Sequence, residues 1–168
     1  MSRSNVIFSK AVRIAVLSGT GFFSYANFPG WLINASGMPL HGKVTKAMNV
    51  TLKQNVDGKM KITELKPGDQ FDLAAPETVE FEAITSRKDG RRKVEIRLLG
   101  KDGTDVLSGG VITYAIPESF GLAPDTHSRM WEDTWETKGS PAVVIQYVKD
   151  LYNVLTVCPK GAKVMIDR

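Results

Sequence analysis

Three side chains in this sequence are of the types that most often perform nucleophilic or acid–base chemistry: His41, His127 and Cys158. A cysteine nucleophile needs a base within hydrogen-bond reach, but Cys158 follows an apolar run and precedes Pro159, a setting typical of a buried cysteine that packs like a small hydrophobe. Neither histidine belongs to a metal-ligand spacing such as H-E-x-x-H. The sequence therefore predicts no catalytic residue, no metal ligand and no cofactor, and we expect the protein not to be an enzyme.

A pair of carboxylates two residues apart, Glu80 and Glu82, would lie on one face of a β-strand. Two neighbouring carboxyl groups can divide the roles of acid and base between them. A sheet face in contact with water also needs such residues. We interpret this pair as part of a solvated face.

A cluster of positive charge lies around the Asp89-Gly90 dipeptide, which is typical of a tight hairpin turn. Cations grouped at a hairpin tip could bind a phosphate backbone, or could simply deter edge-to-edge aggregation. The chain as a whole has 22 Lys and Arg against 18 Asp and Glu, so its net charge of +4 is too small to decide between these readings. The candidate nucleic-acid residues of this hairpin, around residues 87–93, are Arg87, Lys88, Arg91, Arg92 and Lys93.

Aromatic residues are concentrated in the first 42 residues, which show no clean periodicity and contain several glycines and prolines. Such a segment predicts an irregular N-terminal arm, because glycine and proline interrupt regular elements. A large apolar surface that the arm cannot cover itself would mark a contact with another subunit. The predicted interface residues are Phe22, Phe23, Tyr25, Phe28 and Trp31.

The same N-terminal region has the outline of a secretory signal, with basic residues before a short apolar stretch and small residues near position 26. The stretch is broken by Ser18, Gly19 and Gly21, and the longer uncharged run is interrupted by Pro29 and Gly30. We therefore expect no stable membrane span. A cytoplasmic or virion location is favoured, and a periplasmic or secreted one follows if residues 1–26 act as a signal peptide.

From residue 43 to residue 168 the sequence indicates a single β-rich domain. Short runs alternate between apolar and polar residues, and Asp-Gly dipeptides separate them at residues 57–58, 89–90 and 102–103. This pattern predicts a series of antiparallel hairpins that form a β-sandwich or an open barrel.

The last third of the chain is expected to be helical. Ser140-Pro141 matches an N-cap followed by a first helical residue, and the apolar residues after it recur at helical spacing. The pattern predicts a long C-terminal helix over about residues 141–157, a short helix before it that runs through Trp131 and Trp135, and a final strand at residues 162–166.

The combination of an uncovered aromatic arm and missing catalytic motifs favours a non-catalytic structural or interaction component of a larger protein assembly, such as a virion or a secretion or conjugation apparatus. Its expected partners are other protein subunits, in a homo- or hetero-assembly. The alternative is a basic accessory protein that binds nucleic acid through the hairpin around residues 87–93.

Overall fold

The computed structural model of the protein describes residues 5–8, 29–84, 86, 90–116, 131–148 and 153–166. All the regular elements in these ranges are β-strands. They are β1 Asn5–Phe8, β2 Gly30–Asn34, β3 Leu40–Met48, β4 Val50–Val56, β5 Lys59–Glu64, β6 Gln70–Leu73, β7 Glu77–Ala83, β8 Lys93–Gly100, β9 Ile112–Ala115, β10 Glu132–Trp135, β11 Val143–Tyr147, β12 Val154–Pro159 and β13 Lys163–Ile166.

Two large sheets form the body of the protein, and the fold is mainly β, as the sequence predicts. One sheet has six strands in the order β11-β12-β2-β7-β4-β5, and the other has five in the order β10-β9-β8-β3-β6. Alternate residues of both sheets enter one apolar core. The arrangement is consistent with a β-sandwich. Strands β1 and β13 form a separate parallel pair.

The centre of the core is filled by aromatic rings from both sheets. Tyr114 of β9 is fully buried and packs on Phe81 of β7, with ring centroids 5.0 Å apart. Its hydroxyl donates a hydrogen bond of 2.7 Å to the backbone oxygen of Trp31 in β2. Gly30 lies directly under the ring, and a Cβ there would stand 2.4 Å from Cδ1 of Tyr114. The two sheets therefore approach closely only because residue 30 has no side chain.

Two backbone reversals show how the chain moves between elements. Asp57 and Gly58 both have positive φ and join β4 to β5, which confirms the predicted Asp-Gly hairpin. Asn49, with φ 53°, separates β3 from β4. Residues 44–52 alternate in the sequence as a single strand would, but β3 and β4 belong to different sheets. The alternation continues through the break, so it does not reveal the change of sheet.

The predicted helix over residues 141–157 is wrong. Val143–Tyr147 is β11 and pairs antiparallel with β12, Val154–Pro159. These runs are rich in β-branched residues, which lose side-chain freedom in a helix and pack well in a strand. Asn153, with φ 59°, precedes β12 and lies within the residues that the prediction assigned to the helix. No helix occurs in the part of the chain that the structure describes.

The short helix that the sequence predicts through Trp131 and Trp135 is also wrong for the residues that the structure describes. Glu132–Trp135 is β10, an edge strand that pairs antiparallel with β9. The i, i+4 spacing of Trp131 and Trp135 fits a strand equally well, because residues four apart lie on one face in both elements. The start of the expected helix lies outside the described residues. Lys163–Ile166 forms β13, where a final strand was expected.

The predicted irregular arm is wrong for its last part. Gly30–Asn34 forms β2, an inner strand that pairs with β7 and β12, and β3 begins at Leu40. Glycine at residue 30 suggests a break in the sequence, but here it makes room for the Tyr114 ring. The predicted pairing of the strands on either side of residues 87–93 is wrong too, because β7 and β8 belong to different sheets. Residues 87–89, at the tip of the predicted hairpin, lie outside the described residues.

Replacing Gly30 with alanine should destabilise the protein strongly. The added methyl would overlap the Tyr114 ring, which is held by Phe81 and by its own hydrogen bond, so we expect the free energy of unfolding to fall by about 3 kcal/mol. Gly37→Ala is the matched control. No atom lies within 4 Å of that position, so only its positive φ opposes the change, at about 1 kcal/mol. Urea unfolding followed by fluorescence measures both, and equal losses would contradict the proposed packing.

Candidate interaction site

Of the five aromatic residues predicted to form an interface, the structure describes Trp31. Its side chain is 5% exposed and lies on the face of β2 opposite the core of the sandwich. The indole Nε1 donates a hydrogen bond of 2.7 Å to Oε1 of Glu80. Trp31 is therefore buried within its own chain. Phe22, Phe23, Tyr25 and Phe28 lie outside the described residues, and their role in an interface stays a prediction.

The basic cluster is described in part. Arg91 is exposed, Arg92 is buried, and Lys93 is half-buried at the start of β8. Arg87 and Lys88 lie outside the described residues. A buried guanidinium contributes little to a surface that binds phosphate groups, so the described part of the cluster presents fewer cations than the sequence suggests. The use of this segment in nucleic-acid binding stays a prediction.

Of the side chains with catalytic potential, the structure describes His41 and Cys158, which lie on strands of different sheets. Cys158 is fully buried in β12, and burial raises the pKa of its thiol, which disfavours the reactive thiolate. Nδ1 of His41 lies 2.7 Å from Oδ1 of Asp72 on the neighbouring strand. His127 lies outside the described residues. Within those that the structure covers, no three His, Cys, Asp or Glu side chains are grouped as metal ligands.

The sequence pattern assigns Glu80 to a solvated face. In the structure Glu80 is only 4% exposed, so this interpretation is wrong for Glu80. It lies in the middle of β7, directly opposite Trp31 on one neighbouring strand and Lys53 on the other. The Lys53 ammonium is 3.7 Å from Oε2 of Glu80. The carboxyl group is therefore held between a neutral donor and a cation on a covered part of the sheet.

Burial raises the pKa of Glu80 from 4.5 to about 7. A hydrogen bond with Glu82 and the negative charge of that carboxyl add to the rise, whereas the Trp31 donor and the Lys53 ammonium lower the pKa. Glu80 thus exchanges its proton near neutral pH. The groove described below does not reach Glu80, so we assign the group to stability rather than to chemistry on a substrate.

The raised pKa has a consequence for stability that can be measured. Below pH 4.5 Glu80 is protonated in both the folded and the unfolded chain, and burial has no electrostatic cost. Between pH 4.5 and about 7 the unfolded chain loses this proton first, so folding becomes less favourable as pH rises, by about 2 kcal/mol once screening is allowed for. Glu80→Gln should remove this slope and be more stable than the native protein at pH 8. Thermal unfolding from pH 4.5 to 8 tests this.

The control for that experiment is Glu136→Gln, which changes an exposed carboxyl in the same way. We expect its pH profile to follow that of the native protein. An unchanged slope in Glu80→Gln would contradict the burial of an ionisable Glu80.

The edge of the six-stranded sheet at β5 carries exposed apolar side chains. Met60 is 54% exposed and Ile62 is 63% exposed, on the same face of the strand. The hydrogen bond from Leu65 N to Val50 O sets the phase of the β4–β5 ladder, so Lys59, Lys61 and Thr63 bond to β4.

The backbone N–H and C=O groups of Met60 and Ile62 consequently point away from β4. Among the described strands, none pairs with this side of β5. The result is an edge with outward-directed hydrogen-bonding groups and apolar side chains on the same residues. Such an edge is a template for another strand.

A groove with a volume of about 540 Å³ runs beside this edge, between the β4–β5 hairpin and β6. Its apolar wall includes Leu52, Val56 and Phe71. Its charged lining residues are Asp57, Asp69, Asp72, Glu77 and Lys61, a net of three negative charges. This acidic groove contrasts with the net positive charge of the whole chain.

Each edge strand of the five-stranded sheet has one outward backbone oxygen that is occupied by a side chain from the facing sheet. On β6, the backbone oxygen of Asp72 accepts a hydrogen bond from the side-chain amide of Gln54 in β4. On β10, the backbone oxygen of Asp133 accepts one from the Tyr147 hydroxyl at 2.9 Å. Both contacts occupy carbonyl groups that an added strand would use. The edge of β5 therefore differs from both edges of the other sheet.

Sequence reasoning missed Met60 and Ile62 as candidate site residues. The alternation from Met60 to Thr63 predicts a strand correctly, but alternation does not say whether the strand lies inside a sheet or at its edge. One signal was available: Met60 and Ile62 alternate with Lys59 and Lys61 along the run, and lysine is common on exposed edge strands.

No family model matches this chain, and no curated protein matches its sequence. Across the described ranges, no helix has the length and apolar character needed to cross a bilayer. The function is therefore argued from the geometry of the surface alone.

Proposed function

We propose that this chain is a non-catalytic interaction component of a protein assembly, and that its partner binds along β5. The observation that carries the proposal is the edge of β5 that no described strand covers, where Met60 and Ile62 combine exposed apolar side chains with outward-directed backbone groups. Strand addition at such an edge provides affinity through main-chain hydrogen bonds. The virion or the secretion or conjugation apparatus remains the setting that the sequence favours.

An interaction at the β5 edge can be tested without removing a core strand, whereas an interaction of the aromatic arm cannot be tested by deleting the arm. Removing residues 1–37 to test the arm would also delete β2, which lies in the interior of the six-stranded sheet and contributes Leu32 to the core. Such a truncation would unfold the protein rather than report on a contact. A test at β5 leaves the core intact.

The binding of nucleic acid through residues 87–93 has less support. The flanking strands β7 and β8 belong to different sheets, and Arg92 is buried. No described feature adds a base-stacking surface to it. We therefore keep the assembly role as the proposed function.

A photo-crosslinking amino acid at residue 62 should trap the partner in cells that naturally produce this protein. The partner covers β5, so we expect one discrete adduct, whose second component is identified by mass spectrometry. The same amino acid at residue 48 is the control, because Met48 is 50% exposed but lies in the other sheet. Equal yields at the two positions, or no adduct at residue 62, would contradict the proposal.

A further inference from the structure

We infer that the partner segment bound at β5 is an extended strand in which apolar residues alternate with aspartate or glutamate. This inference rests on the proposed function and specifies the chemistry of the partner. Two rows of side chains on β5 carry it together. The outer row is apolar and exposed, with Met60 and Ile62, and the inner row consists of the exposed lysines Lys59 and Lys61.

The outer row determines the apolar residues of the added strand. The outward N–H and C=O groups of Met60 and Ile62 are directed to the side of β5 away from β4. A strand that bonds to them places its own side chains beside those of β5, on alternating faces of the sheet. The residues opposite Met60 and Ile62 are best apolar, since apolar pairs across strands stabilise a sheet.

The inner row determines the charged residues of the added strand. In an antiparallel pairing, Lys59 and Lys61 occupy the positions without mutual hydrogen bonds, where opposed side chains come closest. Opposite charges at such positions stabilise a strand pair, and like charges destabilise it. None of the ion pairs between described residues includes either lysine. Both ammonium groups are therefore available to carboxylates of a partner.

The carboxylates of the groove lie on the other side of this lysine row. Gln54 of β4 donates hydrogen bonds to the backbone oxygen of Asp72 and to Oε1 of Glu77, so both residues lie against β4. An added strand is two strand spacings from β4, about 10 Å, whereas the Debye length is roughly 8 Å at physiological ionic strength. Asp57 and Asp69 lie in the connections before and after β5. The adjacent lysines therefore attract an acidic strand more than the groove repels it.

A second copy of β5 does not have the chemistry of this partner. In the antiparallel registers that pair Met60 or Ile62 of one copy with Met60 or Ile62 of the other, Lys61 faces Lys59, Lys61 or Thr63. None of these registers places a carboxylate opposite a lysine, and two of them place like charges opposite each other. The partner strand is therefore a different segment from β5.

Binding of three synthetic peptides to the full chain tests the inference. Each is a labelled seven-residue peptide in which valine alternates with glutamate, with glutamine or with lysine. Fluorescence anisotropy up to about 1 mM protein should detect the glutamate peptide, the glutamine peptide about tenfold more weakly, and the lysine peptide not at all. Binding of the glutamate peptide should weaken as salt rises, since screening reduces the attraction between exposed charges.

Three variants separate the contributions of charge and backbone. Lys59→Gln with Lys61→Gln should make the glutamate and glutamine peptides bind alike, and Lys59→Glu with Lys61→Glu should transfer the preference to the lysine peptide. Ile62→Pro removes an outward N–H without disturbing the bonds to β4, and should abolish binding of every peptide. The control reverses two exposed lysines elsewhere, Lys43→Glu with Lys101→Glu, and should leave the preference for glutamate unchanged.

Preference for the lysine peptide, equal binding of the glutamate and glutamine peptides, or binding of none of them by the native protein would overturn the inference. So would a preference for glutamate that survives Lys59→Glu with Lys61→Glu in a variant that is still folded by circular dichroism. If crosslinking at residue 62 nevertheless yields a defined adduct, with a second copy or with another protein, the interaction role stands and only the assigned chemistry of the partner fails. If neither experiment gives a signal, the interaction role at β5 fails as well.

Discussion

The contact of Tyr114 with Gly30 and Trp31 determines how closely the two sheets of this protein can pack. The ring fills the space between β9 and β2, its hydroxyl satisfies a backbone oxygen of the opposite sheet, and the missing side chain at residue 30 permits the approach. A buried hydroxyl without such a partner would be costly. Because both sheets are fixed at this point, their edges also lie at a fixed separation on either side.

The edges of the two sheets differ. Gln54 and Tyr147 reach across from the six-stranded sheet to one backbone oxygen each, on β6 and on β10. The β4–β5 hairpin extends beside the groove, and the outer side of β5 has no described strand next to it. Exposed apolar side chains and an acidic groove therefore lie beside the same edge strand.

The sequence predicts the β-rich character and the hairpin at Asp57-Gly58, because alternation and turn chemistry are local properties. It does not predict the change of sheet at Asn49, because Val44, Met48, Val50 and Leu52 keep a period of two in the sequence. In the structure a bulge in β3 shifts this phase, so Ala47 packs against the core and Met48 is 50% exposed. The C-terminal helix was wrong because apolar residues in two short β-branched strands also fit a helical spacing. The burial of Glu80 could not be recognised, and the lysines of β5 were only a weak signal of an edge, because burial and edge position depend on strand order, which is set by long-range pairing.

The side-chain contacts at the rims of the five-stranded sheet make the two layers of the sandwich unequal. The Gln54 amide and the Tyr147 hydroxyl each occupy one outward backbone oxygen, on β6 and on β10. Among the described strands, none lies beside the outer side of β5. A strand added at β5 would therefore widen the six-stranded layer and leave the five-stranded layer at its present width.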